Sequence, residues 1–315
     1  MPGTNLPATS VLSTLSEALN VILLKLALYA KTFHQPQHLE AFVKVATAAK
    51  ALGCRLFAPG SMEQSLAAMS RYGLDFELFE HADADHKPFD MLLSIGGDGT
   101  ILDTVSLVRD SGIPVLGINT GRLGFLAALG DDDVQSSLEG LMKGNYSIDE
   151  RVLLQCESSE PLFDYNVGLN DFVLHKRESS SMIVINAYLN GEFMNTYWAD
   201  GLIISTPTGS TGYSLACGGP IIFPRSGNFV ITPIAPHNLN VRPVVVRDEY
   251  VISFELEGRA SSYMASLDAR SIAIPPGMQI AIRKADHRFR LVRPEGHNFL
   301  DTLRSKLNWG LDRRN

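Results

Sequence analysis

Met91-Leu92-Leu93-Ser94-Ile95 runs without a break into Gly96-Gly97-Asp98-Gly99-Thr100, and helix-like sequence follows over 100–111. A short apolar run with no alternation reads as a strand buried on both faces. The glycines allow a tight turn, and the helix then lies over the sheet. The same alternation surrounds it. Residues 22–30 (ILLKLALYA) read as a strand. Residues 37–52 read as a helix, with Leu39, Phe42, Val43 and Ala46 at helical spacing and Gly53 as its stop. Residues 55–58 form a second strand, 61–72 a helix stopped by Gly73, and 115–118 a further strand. This pattern predicts an α/β half with a parallel sheet covered on both faces.

Past about residue 131 the texture changes. Segments 147–155, 171–175, 183–189, 201–205, 244–246, 250–256 and 279–283 read as strands, several with alternating polarity. Asn190-Gly191 between two of them suits a type I′ hairpin turn. The second half is therefore expected to be antiparallel β. In the last stretch, Phe299, Leu300, Leu303 and Leu307 recur at helical spacing. The division expected is a leader over 1–21 that need not be ordered, an α/β domain over 22–130, and a β-rich domain over 131–296. A closing helix in 297–315 packs back onto them.

Composition narrows the function classes. The 315 residues are 45% hydrophobic, enough for two cores. A formal net charge of −7 lacks the basic footprint of a nucleic-acid binder. Cys54, Cys156 and Cys217 make no CxxC pair, which argues against a zinc knuckle or redox pair and suits a reducing compartment. The apolar run near 21–30 contains Lys25 and is far shorter than the roughly 20 residues of a membrane span. The first 20 residues hold no Lys or Arg for a secretory n-region. The expected address is the cytoplasm, with no membrane partner.

Gly96 to Thr100 has the chemistry of a phosphate cradle. Glycines let an anion approach main-chain N–H groups, and the following helix adds its positive end. Thr100 is placed to cap that helix. Asp98 is the unexpected member, because an anion among phosphates is unfavourable. It calls for a role, such as accepting a proton from an attacking hydroxyl or holding a metal.

GGDGT in this setting resembles the superfamily of NAD kinases, diacylglycerol and sphingosine kinases, and 6-phosphofructokinases. Further segments point to the NAD kinases. Asn119-Thr120-Gly121-Arg122-Leu123-Gly124-Phe125-Leu126 resembles that family's segment after the fourth strand. Gly168-Leu169-Asn170-Asp171 resembles its Asn-Glu pair, with Asp for Glu. The longest match runs from Asp200-Gly201-Leu202 through Thr206-Pro207-Thr208-Gly209-Ser210-Thr211-Gly212-Tyr213 to Pro220, with Gly212 where Ala is more familiar. Pro236-His237-Asn238 to Pro243, Ser266-Leu267-Asp268 and the closing FLDTLRSKLNW also resemble family segments.

The resemblance implies a Rossmann-like nucleotide-binding domain, an all-β domain and a site in the crevice between them. It implies transfer of the terminal phosphoryl group of ATP, or another donor, to the 2′-hydroxyl of the adenosine ribose of NAD. Asp98 is the implied base. Gly97, Gly99, Thr100, Arg122, Phe125, Asn170, Asp171, Asp200, Thr208, Thr211, Gly212, Tyr213 and His237 are the implied NAD- and ATP-binding residues. For His237, contact with the nicotinamide end and a loop-fixing role stay open. Mg²⁺ or another divalent cation is implied with the donor, without a dedicated protein cage, and a homodimer or homotetramer is implied as the assembly. The rivals are a lipid kinase, which needs an acyl route and membrane anchor, and a non-catalytic NAD(H)-binding regulator.

Overall fold

The computed structural model describes residues 24–31, 33, 36–121, 124–130, 134–177, 182–257, 261–296 and 298–308. The leader assigned to 1–21, Arg122 and Trp309 lie outside them. The first half carries β1 (Lys25–Tyr29), α1 (Pro36–Ala51), β2 (Arg55–Pro59), β3 (Glu77–Phe79), β4 (Met91–Ile95), α2 (Asp98–Val108) and β5 (Val115–Asn119). Then come β6 (Leu129–Gly130) and α3 (Val134–Met142). Strands β3, β2, β1, β4 and β5 lie side by side in that order, all parallel. Alternate residues feed opposite cores. Leu26, Leu28, Leu93 and Ile95 meet Phe42 and Val45 of α1 and Leu138 of α3 on one face. Ala27, Leu92 and Val115 meet Ile101 and Val105 of α2 on the other. Burial on both faces is why these strands are continuously apolar.

Two expected helices differ from the structure. The helix expected over 61–72 is broken into a 3₁₀ turn, a single α turn and a second 3₁₀ stretch ending at Gly73 (φ +68°). The helix expected from Thr100 begins at Asp98, with Gly97 as its N-cap. Thr100 therefore does not cap it. Its side chain is buried one turn in, close under Gly96.

The second half adds β7 (Tyr146–Ser158), β8 (Val167–Gly168), β9 (Asp171–Lys176), β10 (Ile183–Leu189), β11 (Glu192–Ala199) and β12 (Gly201–Ser205). It continues with β13 (Asn228–Ile234), β14 (Val244–Arg247), β15 (Ile252–Glu257), β16 (Tyr263–Leu267), β17 (Arg270–Ile274), β18 (Ile280–Pro294) and α4 (Phe299–Leu307). Asn190 (φ +51°) and Gly191 (φ +82°) make the expected hairpin turn between β10 and β11. An antiparallel sheet ordered β14-β13-β12-β9-β16-β17 faces β11-β10-β15-β18. Phe172, Ile204, Phe229 and Tyr263 from one sheet pack against Ile185, Phe254 and Ile282 from the other.

Strand β18 is three times the length expected of it. Its first part pairs with β7 inside the sandwich. After a register shift between Lys284 and Arg288, its second part continues along β7 and pairs parallel with β5, Leu291 opposite Val115. The α/β sheet is thus extended by the last strand of the chain. Helix α4 is capped by Asn298, which accepts from the N–H groups of Leu300 and Asp301. Phe299 stacks edge-on against Phe223, 5.3 Å between ring centroids.

Candidate active site

The order β3-β2-β1-β4-β5 reverses direction between β1 and β4. In open parallel sheets, ligands bind beyond the carboxyl ends of the strands at that switch point. Gly96 to Thr100 stands there. A Cβ added at Gly97 or Gly99 would meet nothing within 4 Å, so both positions are open. Asp98, in the first turn of α2, complements the helix dipole. Its carboxylate also has partners. Oδ2 accepts from the Phe125 N–H at 2.7 Å, and Oδ1 accepts from Leu126 at 3.1 Å and Ala127 at 3.3 Å. Gly124 makes this approach possible, since a Cβ there would lie 1.8 Å from Oδ1. Phe125 is half-buried beside it. Asp103, one turn further along α2, receives the Tyr29 hydroxyl at 3.2 Å and Lys31 at 3.1 Å, tying the end of β1 to the helix.

A cleft of about 320 Å³ opens between α2 and the second half, lined by Leu102, Asn170, Asp171, His175, Tyr213 and Asp268 among others. Asn170 and Asp171 sit where β9 begins. Asp268, in the β16–β17 turn at φ +53°, accepts from the N–H groups of Leu169, Asn170 and Asp171 at 2.7–3.1 Å. It holds the turn that presents the pair. Asn170 Oδ1 is buried and has no hydrogen-bond partner among the described residues. Such an orphaned acceptor is unfavourable unless a ligand donates to it. Asp171 is 8% exposed; burial, then the Asp268 charge, pushes its carboxyl up to about 7. Burial also raises Asp268, against three N–H donors and Arg270, which pull it down. With those donors Asp268 is the better keeper of the charge and Asp171 of the proton.

The hydroxyl-rich loop after β12 folds onto this turn. The Thr206 N–H donates to the Asn170 carbonyl, and its hydroxyl to the Leu169 carbonyl. A Cβ on Gly209 would lie 2.1 Å from the Asn170 carbonyl oxygen, so only glycine fits. Ser210 and Thr211 turn their hydroxyls back onto Pro207 and Thr208 carbonyls. Thr208 is buried and accepts from Arg151 at 3.2 Å. Gly212 is exposed, and Tyr213, 48% exposed, lines the cleft. Burial, followed by nearby Cys217, Asp171 and Asp200, holds its phenol above the usual range.

Asp200 pairs with Lys176 at 2.7 Å. His237 is exposed, its N–H donating to the Trp198 carbonyl. Neither Asp200 nor His237 lines the cleft. The sequence reading missed a charged group beneath the site. Asp149 on β7 binds Arg151 at 2.6 Å, Arg225 at 3.3 Å and Arg293 of β18 at 3.5 Å. Burial raises the Asp149 carboxyl, but Arg151, Arg293 and Arg225 together outweigh it and hold the group low. Arg293 is pushed down to about 10, by burial first and by Arg151 next, and so stays charged at neutral pH. The available signal was charged residues inside strands, which a single sequence cannot tell from an exposed strand edge.

Comparison with known proteins identifies the family. The chain matches the profile of the ATP-NAD kinase N-terminal domain over residues 28–146 and of the ATP-NAD kinase C-terminal domain over 169–294. An NAD kinase of Cytophaga hutchinsonii is 52% identical over 227 residues, 72% of this chain and 78% of that protein. The fold is that of a yeast NADH kinase crystallised with NADH, at a TM-score of 0.79 and 24% identity, covering 92% of this chain and 89% of that one. It is also that of an NAD kinase from Archaeoglobus fulgidus in complex with ATP, at 0.64 and 24%, covering 91% and 99%. With both halves matched in order and a relative this similar across most of its length, the chain belongs to the NAD kinase family.

Proposed function

We propose that this chain transfers the terminal phosphoryl group of ATP to the 2′-hydroxyl of the adenosine ribose of NAD, making NADP. The observation that carries the reading is the pair Asn170 and Asp171. One offers an orphaned buried acceptor and the other a carboxyl poised near neutrality, in a cleft shared with Tyr213 and α2. An amide beside a carboxyl suits a vicinal diol and an amine, the groups of an adenosine. The open peptides at Gly97 and Gly99 face the donor phosphates, with Thr100 supporting the turn. Phe125 and Arg122 are assigned to the same nucleotides. Thr208, Thr211 and Gly212 shape the loop around the dinucleotide, and Asp200 and His237 are assigned to its outer edge.

A ribose hydroxyl is a poor nucleophile at neutral pH, so a base helps. Asp98 takes that role. Oδ2 carries one N–H bond and keeps a lone pair for the hydroxyl proton, while Oδ1 carries two. Positioning and charge neutralisation supply most of the acceleration in such transfers. A divalent cation accompanying the donor would neutralise its phosphates, taking most of its ligands from phosphate oxygens and water. Among the described residues no group of three or more His, Cys, Asp or Glu gathers to hold one. Nor, among them, is any helix long and apolar enough to cross a membrane. Action in the cytoplasm as a homodimer or homotetramer completes the reading.

The test is direct. The protein is incubated with NAD, ATP and Mg²⁺, and NADP is read with an NADP-specific dehydrogenase. Formation of NADP is expected. Thermal stabilisation by NAD without NADP would replace this reading with that of a non-catalytic regulator.

A further inference from the structure

The buried charges beneath the site do more than neutralise one another. Arg293, 6% exposed, donates through Nη1 to the Leu126 carbonyl at 3.1 Å and through Nη2 to the Phe125 carbonyl at 3.4 Å. Those carbonyls belong to the peptide units whose N–H groups, on Leu126 and Ala127, donate to Asp98. A trans peptide is planar, with its C=O and N–H pointing opposite ways. Gripping the carbonyl therefore aims the N–H. Arg293 and Asp98 hold opposite ends of the same two peptides, and the cation polarises both N–H groups towards the carboxylate.

The other end of the group leads elsewhere. Asp149 joins Arg293 to Arg151, which is 3% exposed and donates to the Thr208 hydroxyl. Thr208 begins the turn that presses Gly209 onto Asn170. Two buried guanidiniums share one carboxylate, and their remaining donors go to two loops rather than to each other's neighbourhood. Buried ion pairs are poor stabilisers compared with apolar packing, so this arrangement asks for a purpose beyond stability.

We propose that Arg293 and Asp149 are positioning residues: they orient Asp98 through the Phe125–Ala127 peptides and lock that loop to the hydroxyl-rich loop around Thr208. The claim rests on the NAD kinase reading for its kinetic consequences and on geometry alone for its structural ones. It joins the base and the acceptor-binding loop, which lie on different halves of the chain, through the two strands β7 and β18.

The experiment uses Arg293→Lys, Asp149→Asn, Asp98→Asn and the pair Arg293→Lys with Asp98→Asn, each checked for an intact fold. Lysine keeps the charge but cannot fork to two carbonyls. Arg293→Lys should lower kcat by about 10- to 100-fold while the KM for NAD moves less than about threefold. In the Asp98→Asn background the same exchange should cost less than about twofold, because its route is already cut. Full additivity of the two substitutions would overturn the proposal. Amide hydrogen exchange supplies a readout that needs no activity. Asp149→Asn should speed exchange in both 124–127 and 206–211, and Arg293→Lys mainly in 124–127. Faster exchange confined to 146–151 and 288–294 in both variants would equally overturn it. A wild-type protein that makes no NADP would sink the functional reading, and the exchange pattern would still decide this one.

Discussion

Burial pushes the Asp171 carboxyl up to about 7, and the Asp268 charge adds to the effect. The folded state then holds a proton that the unfolded chain releases near pH 4, so between about pH 4 and 7 the native state binds more protons. Stability therefore falls as pH rises through that window and levels off above it. The shift from 3.8 to about 7 corresponds to roughly 4 kcal/mol at 1.36 per unit. Asp171→Asn should remove most of that fall, which melting curves at pH 5 and pH 8 will measure. If the ribose is bound by the ionised carboxylate, the KM for NAD should drop from pH 6 to pH 8 in the wild type and stay level in Asp171→Asn. At Asp98 the expectation is kinetic. Asn keeps the size but cannot take a proton, so Asp98→Asn should lower turnover by about 10² to 10⁴. Near-normal turnover with a lower melting temperature would reduce Asp98 to a clasp for the Phe125–Ala127 N–H groups.

Between the β8–β9 turn and the loop after β12, contact is so close that one atom decides it. Gly209→Ala would place a methyl about 2.1 Å from the Asn170 carbonyl oxygen, and backbone must move to admit it. Overpacking of this kind costs about 1–3 kcal/mol. The movement falls on Asn170, so the KM for NAD should rise by about tenfold or more while that for ATP changes little. Steady-state kinetics with each substrate varied will show the asymmetry. Much of this level was legible in the sequence. The run Met91–Ile95, the turn at Asn190-Gly191 and the strand Gly201–Ser205 stand as expected, because period and turn chemistry are local properties. Strands β3, β6, β8, β13, β16 and β17 were not read from the sequence, and β18 was read only in its first residues. Arg290 and Arg293 interrupt the apolar pattern of β18, since their guanidiniums find partners across the fold. That Asp98, Asn170 and Asp171 serve one reaction was readable in the sequence only as what the resemblance implies. The Asp149 group was not legible as a group: a spacing of two sets Asp149 and Arg151 on one face of β7, but Arg225 and Arg293 reach them only through the fold.

At the scale of the molecule, the two halves are sewn together by one strand pair. Strands β7 and β18 keep company from Tyr146 opposite Pro294 to Ser158 opposite Ile280, crossing from the α/β layers into the sandwich. Separate unfolding of the halves would have to tear that ladder lengthwise, so calorimetry should find a single transition, with its van't Hoff and calorimetric enthalpies equal. Two resolved transitions would contradict this. The pairing of Leu291 with Val115 also has a consequence in time. The ribosome makes β5 long before β18, Leu291 following Val115 by 176 positions. Through that interval β6 covers only Ile118 and Asn119 of the β5 edge, and the remainder is open to wrong partners. Folding should therefore finish late, after release of the carboxyl end, and a chain arrested before residue 280 should be a preferred client of ribosome-bound chaperones.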